Sequence, residues 1–158
     1  MSDINSIDLN GIVSSVITRT FETMLSMRIT PAGPESSLSW PRFVAQVGVA
    51  GASVIGNICI NFDLEGARMV AGAMLGTEED DLEMSEIEDV VGELSNIAGG
   101  SIKSSLCDAG LICQLSIPYV TYGSDFKFET LGYDRCERLR FKYQGHTFFV
   151  EVCMKANE

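Results

Sequence analysis

Hydrophobic residues recur at three- and four-residue intervals through residues 9–27, LNGIVSSVITRTFETMLSM, where Ile12, Val13, Val16, Ile17, Phe21, Met24 and Leu25 share one face. That period predicts an amphipathic helix. Residues 30–41 hold three of the four prolines among small polar residues and predict a loop. FVAQVGV (43–49) and SVIGNICINF (53–62) then read as a hairpin around Ala50-Gly51. In its second strand Val54, Ile58, Ile60 and Phe62 share one face, while Ser53, Asn57 and Asn61 point away, the pattern of half burial. Asp63 is placed to cap a helix LEGARMVAGAML that Gly76 ends.

An acidic loop follows. Ser85 and Glu88 have capping-box spacing, so a second long helix is expected to start near Glu86 and to close at Gly110. Strand-like runs come afterwards at 111–120, 125–131, 137–144 and 146–154, the last two paired across Gly145. In RLRFKY, Leu139, Phe141 and Tyr143 alternate with Arg138, Arg140 and Lys142, as in an antiparallel strand with one wet face. Each half of the chain begins with a long helix and continues into hairpins. The expectation is an α+β fold with loose internal duplication, an antiparallel sheet of hairpins packed against long helices, in one domain over residues 1–158.

Composition narrows the function. A net charge of −11 would repel nucleic acid and anionic membranes, so neither is expected as a partner. No apolar run approaches a membrane span, and the acidic start MSDINSIDLNG lacks the basic region of a secretory signal. A cytoplasmic protein is the expectation. Cys59, Cys107, Cys113, Cys136 and Cys153 are odd in number and lack CxxC spacing, which argues against a disulfide framework and a zinc site. The single histidine, His146, sits beside a turn signal and is given no catalytic role.

The unusual stretch is EDVVGELSNIAGGSIK (88–103), a helical pattern carrying three glycines. Each costs an interior helical position about 0.8–1 kcal/mol relative to Ala. At 100° per residue, Ile87, Val90, Val91, Leu94, Ile97, Ala98, Ile102 and Leu106 form the core arc. Asp89, Glu93, Asn96 and Gly100 fall opposite, bordered by Gly92, Gly99 and Lys103. On this reading the glycines flatten a solvent-facing ridge, so that a partner's backbone or phosphate can approach. An exposed Glu and Asn without a histidine or nucleophilic serine suit one task. Asn holds a water through its amide oxygen and nitrogen, which is useful when the electrophile is already an activated phosphoryl group. Glu93, one turn away, is placed to pair with a cation on that partner and fix its register.

These residues resemble the signature of the CheC/CheX/FliY phosphatases of bacterial chemotaxis, with the closest similarity to CheX. The signature is an acidic residue or Ser, three residues, Glu, two residues, Asn, and a Pro some twenty residues on. Asp89, Glu93, Asn96 and Pro118 supply it, with 21 residues between Asn96 and Pro118, one fewer than the pattern. The resemblance implies hydrolysis of the phospho-aspartate of a CheY-like receiver. Asn96 would position the water and Glu93 would contact the receiver's lysine. Asp89, Gly92, Gly99, Gly100 and Lys103 would face the partner, and Pro118 would support the site. It implies no metal bound by this chain, Mg²⁺ held by the receiver, and a homodimer. In relatives with two sites the first helix also carries Glu-x-x-Asn. Here Glu22 is followed by Thr23, Met24 and Leu25, so that helix is expected to be silent. Two other readings use the same residues: a module that docks on a receiver or flagellar switch component without hydrolysis, and a structural dimer. The last predicts that alanine at Gly99 and Gly100 stabilises the protein with no functional loss.

Overall fold

A computed structural model describes residues 3–34, 37–127 and 130–157. The elements are α1 (Leu9–Leu25), β1 (Thr30–Pro31), β2 (Arg42–Gly51), β3 (Val54–Asp63), α2 (Leu64–Leu75), α3 (Met84–Asp108), β4 (Cys113–Leu115), β5 (Tyr119–Gly123), β6 (Arg135–Tyr143) and β7 (His146–Ala156). The strands make one antiparallel sheet in the order β1-β6-β7-β3-β2-β4, with β5 also on β2. Helices cover one face. Phe43, Ile58, Ile60, Phe62, Phe148 and Val150 from the sheet meet Val13, Ile17 and Phe21 of α1 and Ile87, Leu94 and Ile102 of α3 in a continuous core.

The expected α+β arrangement is present, and the duplication is visible in the strand order. β3 and β7 lie side by side at the centre, flanked by their hairpin partners β2 and β6. The short strand that follows α1 pairs with β6, while the short strands that follow α3 pair with β2. Each half thus lends its edge strand to the other half's hairpin.

Local chemistry explains the boundaries. The Asp63 carboxylate accepts the Gly66 N–H at 2.8 Å, and Gly76 ends α2 at φ 65°. Glycine adopts that left-handed conformation without steric cost. α3 starts two residues earlier than expected. The Glu86 carboxylate accepts the Glu83 N–H at 3.0 Å, so the reciprocal spacing belongs to Glu83 and Glu86, and Ser85 lies inside the helix. The first hairpin turns at Ala52-Ser53, because β2 runs on through Ala50 and Gly51.

The run 125–131 is not a strand among the described residues, and residues 128 and 129 lie outside them. The sheet order supplies the reason. β5 and β6 lie four strand spacings apart, roughly 19 Å, so the chain between them must cross the sheet. It crosses the face away from the helices. Phe126 meets the Trp40 ring edge-on at 5.0 Å, and Thr130 donates to the Glu151 carboxylate at 3.1 Å. This crossover changes the reading of β3: Asn61, on the expected wet side, is buried, as is Cys59 on the same face. Burial, with the Glu151 charge adding to it, pushes the Cys59 thiol up to about 12.

The cysteine expectation also needs correction. Cys136 and Cys153 face each other across β6 and β7 with Cα atoms 4.0 Å apart, and they form a disulfide. Cys59, Cys107 and Cys113 are free. Among the described residues no helix is long and apolar enough to cross a membrane.

Candidate phosphatase site on α3

α3 is held on two sides. Its core arc is close to that expected, with Ile87, Val90, Val91, Leu94, Ala98, Ile102 and Leu106 buried and Ile97 half-buried. Ser95 is also buried, and its hydroxyl donates to the Gly92 carbonyl at 3.0 Å. Opposite lies the wet ridge: Asp89 and Glu93 are exposed, and Asn96, Gly100 and Lys103 are half-buried. Among the described residues' hydrogen bonds and ion pairs, none engages the Glu93 carboxylate or the Asn96 amide. Both groups are free to meet a visitor.

The glycines divide, and here the expectation fails for two of them. Gly92 and Gly99 are buried. A Cβ on Gly99 would stand 2.7 Å from Val47 Cγ2 and 3.4 Å from Leu115 Cδ1; one on Gly92 would stand 3.2 Å from Val120 Cγ2. They are packing glycines that let the helix backbone settle onto β2, β4 and β5, and they are not part of the surface offered to a partner. The helical wheel put them at the border of the ridge, and the sheet edge runs along that border. Gly100 behaves as expected, since a Cβ there would meet nothing within 4 Å.

That close approach decides what lies beside Asn96. Leu115 sits against Gly99 and Val120 against Gly92, so the chain between them passes the Asn96 turn, and Pro118 lies within it. The expected strand 111–120 is broken there. Leu115 pairs with Val49 and Tyr119 with Gln46, so four steps on this edge match three on β2. One extra residue is a β-bulge, a feature common at sheet edges and beside active sites. Proline is tolerated there because it has no N–H to give the ladder. Ser116 pins the bulge, its N–H donating to the Gly48 carbonyl at 2.9 Å and its hydroxyl accepting the Gly48 N–H at 2.8 Å. Val120 faces the helix, and Pro118, two residues before it, is half-buried. The proline inside the strand-like run was the available signal for the bulge.

Among the described residues no group of three His, Cys, Asp or Glu side chains is placed to hold a metal ion. Glu22 on α1 is exposed, but Leu25, three positions on, is 6% exposed and packs in the core. That turn offers no amide.

The family model for the chemotaxis phosphatase CheX matches residues 43–142. The chain belongs to the CheX family. Its fold is that of CheX from Vibrio vulnificus, at 23% identity over 98% of this chain and 100% of that one, with a TM-score of 0.84. CheX from Desulfovibrio desulfuricans is 25% identical over 94% of this chain and all of its own, with a TM-score of 0.79. The CheX–CheY–BeF3–Mg²⁺ complex from Borrelia burgdorferi contains a further similar chain, at 24% identity over 94% of this chain and 99% of that one, with a TM-score of 0.76. No protein of curated function matches the sequence. The match to the CheX family model covers the whole ridge of α3, the bulge and Pro118.

Proposed function

We propose that this chain hydrolyses the phospho-aspartate of a CheY-like receiver, with Asn96 and Glu93 as the groups that act. One observation carries the reading. An unengaged amide and an unengaged carboxylate stand one turn apart on a ridge of α3 that no other described side chain is bonded across. Family membership supports the reaction class, and a relative crystallised with CheY, BeF3 and Mg²⁺ supports the partner.

The chemistry divides between the two proteins. The receiver brings the phosphoryl group and the Mg²⁺ that neutralises its oxygens. Asn96 offers an acceptor oxygen and a donor nitrogen, which together hold one water in a fixed orientation. The water oxygen bonds to phosphorus as the bond from phosphorus to the aspartyl oxygen breaks, giving inorganic phosphate and a free aspartate carboxylate. Asn96 takes no proton; its contribution is alignment, the main lever available when the electrophile is already activated. Glu93 pairs with the receiver's lysine, while Asp89, Gly100 and Lys103 line the approach. Pro118 supports the turn of helix that carries Asn96. A cytoplasmic homodimer built from one such unit over residues 1–158 completes the proposal, and sedimentation of the purified protein tests its stoichiometry.

The deciding experiment measures phosphate release from a phosphorylated CheY receiver with wild type and Asn96→Ala. Loss of acceleration in the variant is the expected outcome. A rate close to wild type overturns the assignment of Asn96.

A further inference from the structure

Cys59, Cys107 and Cys113 carry free thiols, and two of them meet at the C-terminal end of the helix that bears the ridge. Cys107 lies half-buried on the last turn of α3, and Cys113 is the first residue of β4, 2% exposed. The Cys107 thiol donates to the Cys113 carbonyl at 3.7 Å, and the two sulfurs are close enough to share a hydrogen bond.

The backbone holds them there. Gly110 takes the left-handed conformation at φ 96°, and the Leu111 N–H donates back to the Leu106 carbonyl at 2.9 Å. Such a turn folds the chain back as the helix ends, so residue 113 returns alongside residue 107. Leu111 is anchored in the core, and Cys113 pairs with Gly51 at the end of β2. A Cβ on Gly51 would collide with the Ile112 carbonyl, so glycine lets β2 come this close to the turn.

We infer that Cys107 and Cys113 are a reversible redox pair, closing to a disulfide by exchange with a low-molecular-weight disulfide such as glutathione disulfide. Their environments set the order of events. Burial, with the Cys107 sulfur adding to it and the Lys103 charge offsetting part, pushes the Cys113 thiol up to about 11. A buried, protonated thiol is a poor first nucleophile. Cys107 reaches solvent and leads. It loses its proton to water, and its thiolate attacks one sulfur of glutathione disulfide, releasing one glutathione thiolate and leaving a mixed disulfide. Cys113 then loses its proton, attacks the Cys107 sulfur and expels the second glutathione thiolate. The two thiolates take up the two protons. Two protein thiols are oxidised to one disulfide, and one glutathione disulfide is reduced to two thiols. The bond ties the end of the ridge helix to the strand whose Leu115 sits against Gly99. Cys59 stays outside this chemistry. It is buried on the sheet face away from the helices, where the Asn57 amide donates to its sulfur at 3.0 Å.

The test incubates the purified full chain with excess glutathione disulfide, alkylates the remaining thiols after denaturation, and maps tryptic peptides by mass. No lysine or arginine lies between Lys103 and Lys127, so one peptide, residues 104–127, carries both cysteines. It is expected to be unalkylated and lighter by two hydrogens than the reduced peptide, with Cys59 alkylated and dithiothreitol reversing the change. Free thiols per chain fall from three to one. A wild-type peptide alkylated at both cysteines overturns the pair. So does a glutathione adduct that persists on wild-type Cys107, which puts Cys113 out of its reach. In Cys113→Ser, glutathione is expected to stay on Cys107, because the thiol that displaces it is gone; in Cys107→Ser, Cys113 is expected to remain unmodified. Glutathione on Cys113 in the latter variant overturns the order of attack. The wild-type map decides the pair by itself, whether or not either variant folds well.

Discussion

α1 and α3 occupy corresponding places in the two halves of the fold, each ahead of a short edge strand and a long hairpin, and each carries a glutamate on an exposed turn. They differ three residues further on. In α3 that position is Asn96, half-buried at the border of the ridge, and the helix continues through residues 97–108. In α1 it is Leu25, the last helical residue, followed by Ser26 in the left-handed conformation at φ 55° and then by Met27, again in the core. The α1 turn closes a helix, so its side chains are needed for packing. The α3 turn lies mid-helix, where the backbone is held from both sides and the side chain is spared. A duplicated scaffold thus supplies two comparable turns, and only one has helix to spare for chemistry.

The sharpest way to break this comparison is Asn96→Ala. If Asn96 aligns the water as proposed, removing it lowers receiver dephosphorylation about 10²–10³-fold, roughly 3–4 kcal/mol of transition-state stabilisation. The exposed side of the residue makes little contact, so chemical denaturation should report an almost unchanged stability. A variant that lost activity only because it unfolded would count against the assignment.

Next in size is Leu25→Asn, which writes Glu-x-x-Asn into α1. If the motif sufficed, a second site would appear. The structure leads to the opposite expectation: a buried leucine is replaced by a polar side chain, at a cost of about 3 kcal/mol, with no gain in turnover. The clean measurement is Leu25→Asn made together with Asn96→Ala. Recovered phosphatase activity there would show that position within the helix matters less than the residues.

Gly99→Ala tests how α3 is seated. Its Cβ would crowd Val47 at 2.7 Å in a packed core. Overpacking of that kind costs about 1–3 kcal/mol, against a gain of about 1 kcal/mol in helix propensity. A net loss of about 1 kcal/mol in urea unfolding is expected. Activity should fall severalfold as the helix shifts from Pro118. Gly92→Ala, with a 3.2 Å contact to Val120 nearer the sheet edge, should show a weaker form of both effects.

The periodic parts of this architecture were legible in the sequence because they are local. The 3.6-residue period found α1 and α3, and Asp63 and Gly76 marked the two ends of α2. The wheel of α3 put Asp89, Glu93 and Asn96 on one face, which the structure retains. Contacts between distant segments were not legible. Gly92 and Gly99 lie at the edge of the wheel's polar arc, and only the arrival of β4 and β5 makes that edge a buried one. Asn61 follows the wet face of β3, yet the crossover from β5 to β6 covers it, with Phe126 beside it. The disulfide lies between these cases. Once Gln144-Gly145 is taken as the hairpin turn, counting outward equally on both strands brings Cys136 to Cys153. Reading the cysteines by number and spacing, without strand register, missed the pair.

The smallest effect separates the two kinds of glycine. Gly100 lies on the ridge, one turn beyond Asn96, with open space where a Cβ would stand. Alanine there removes backbone entropy from the unfolded chain and restores helix propensity, so Gly100→Ala should stabilise the protein by about 0.5–1 kcal/mol. The structural-dimer reading expects that gain with no functional loss, and expects the same from Gly99→Ala. The phosphatase reading parts from it at both positions. Gly99→Ala should destabilise, and Gly100→Ala should gain stability while raising KM for the phosphorylated receiver severalfold, since a methyl group now stands where the partner passes. Urea unfolding and steady-state kinetics on the two single variants give four numbers. A stabilised Gly100→Ala with unchanged KM would place the receiver's contact nearer Glu93 and the Pro118 edge than the C-terminal half of the ridge.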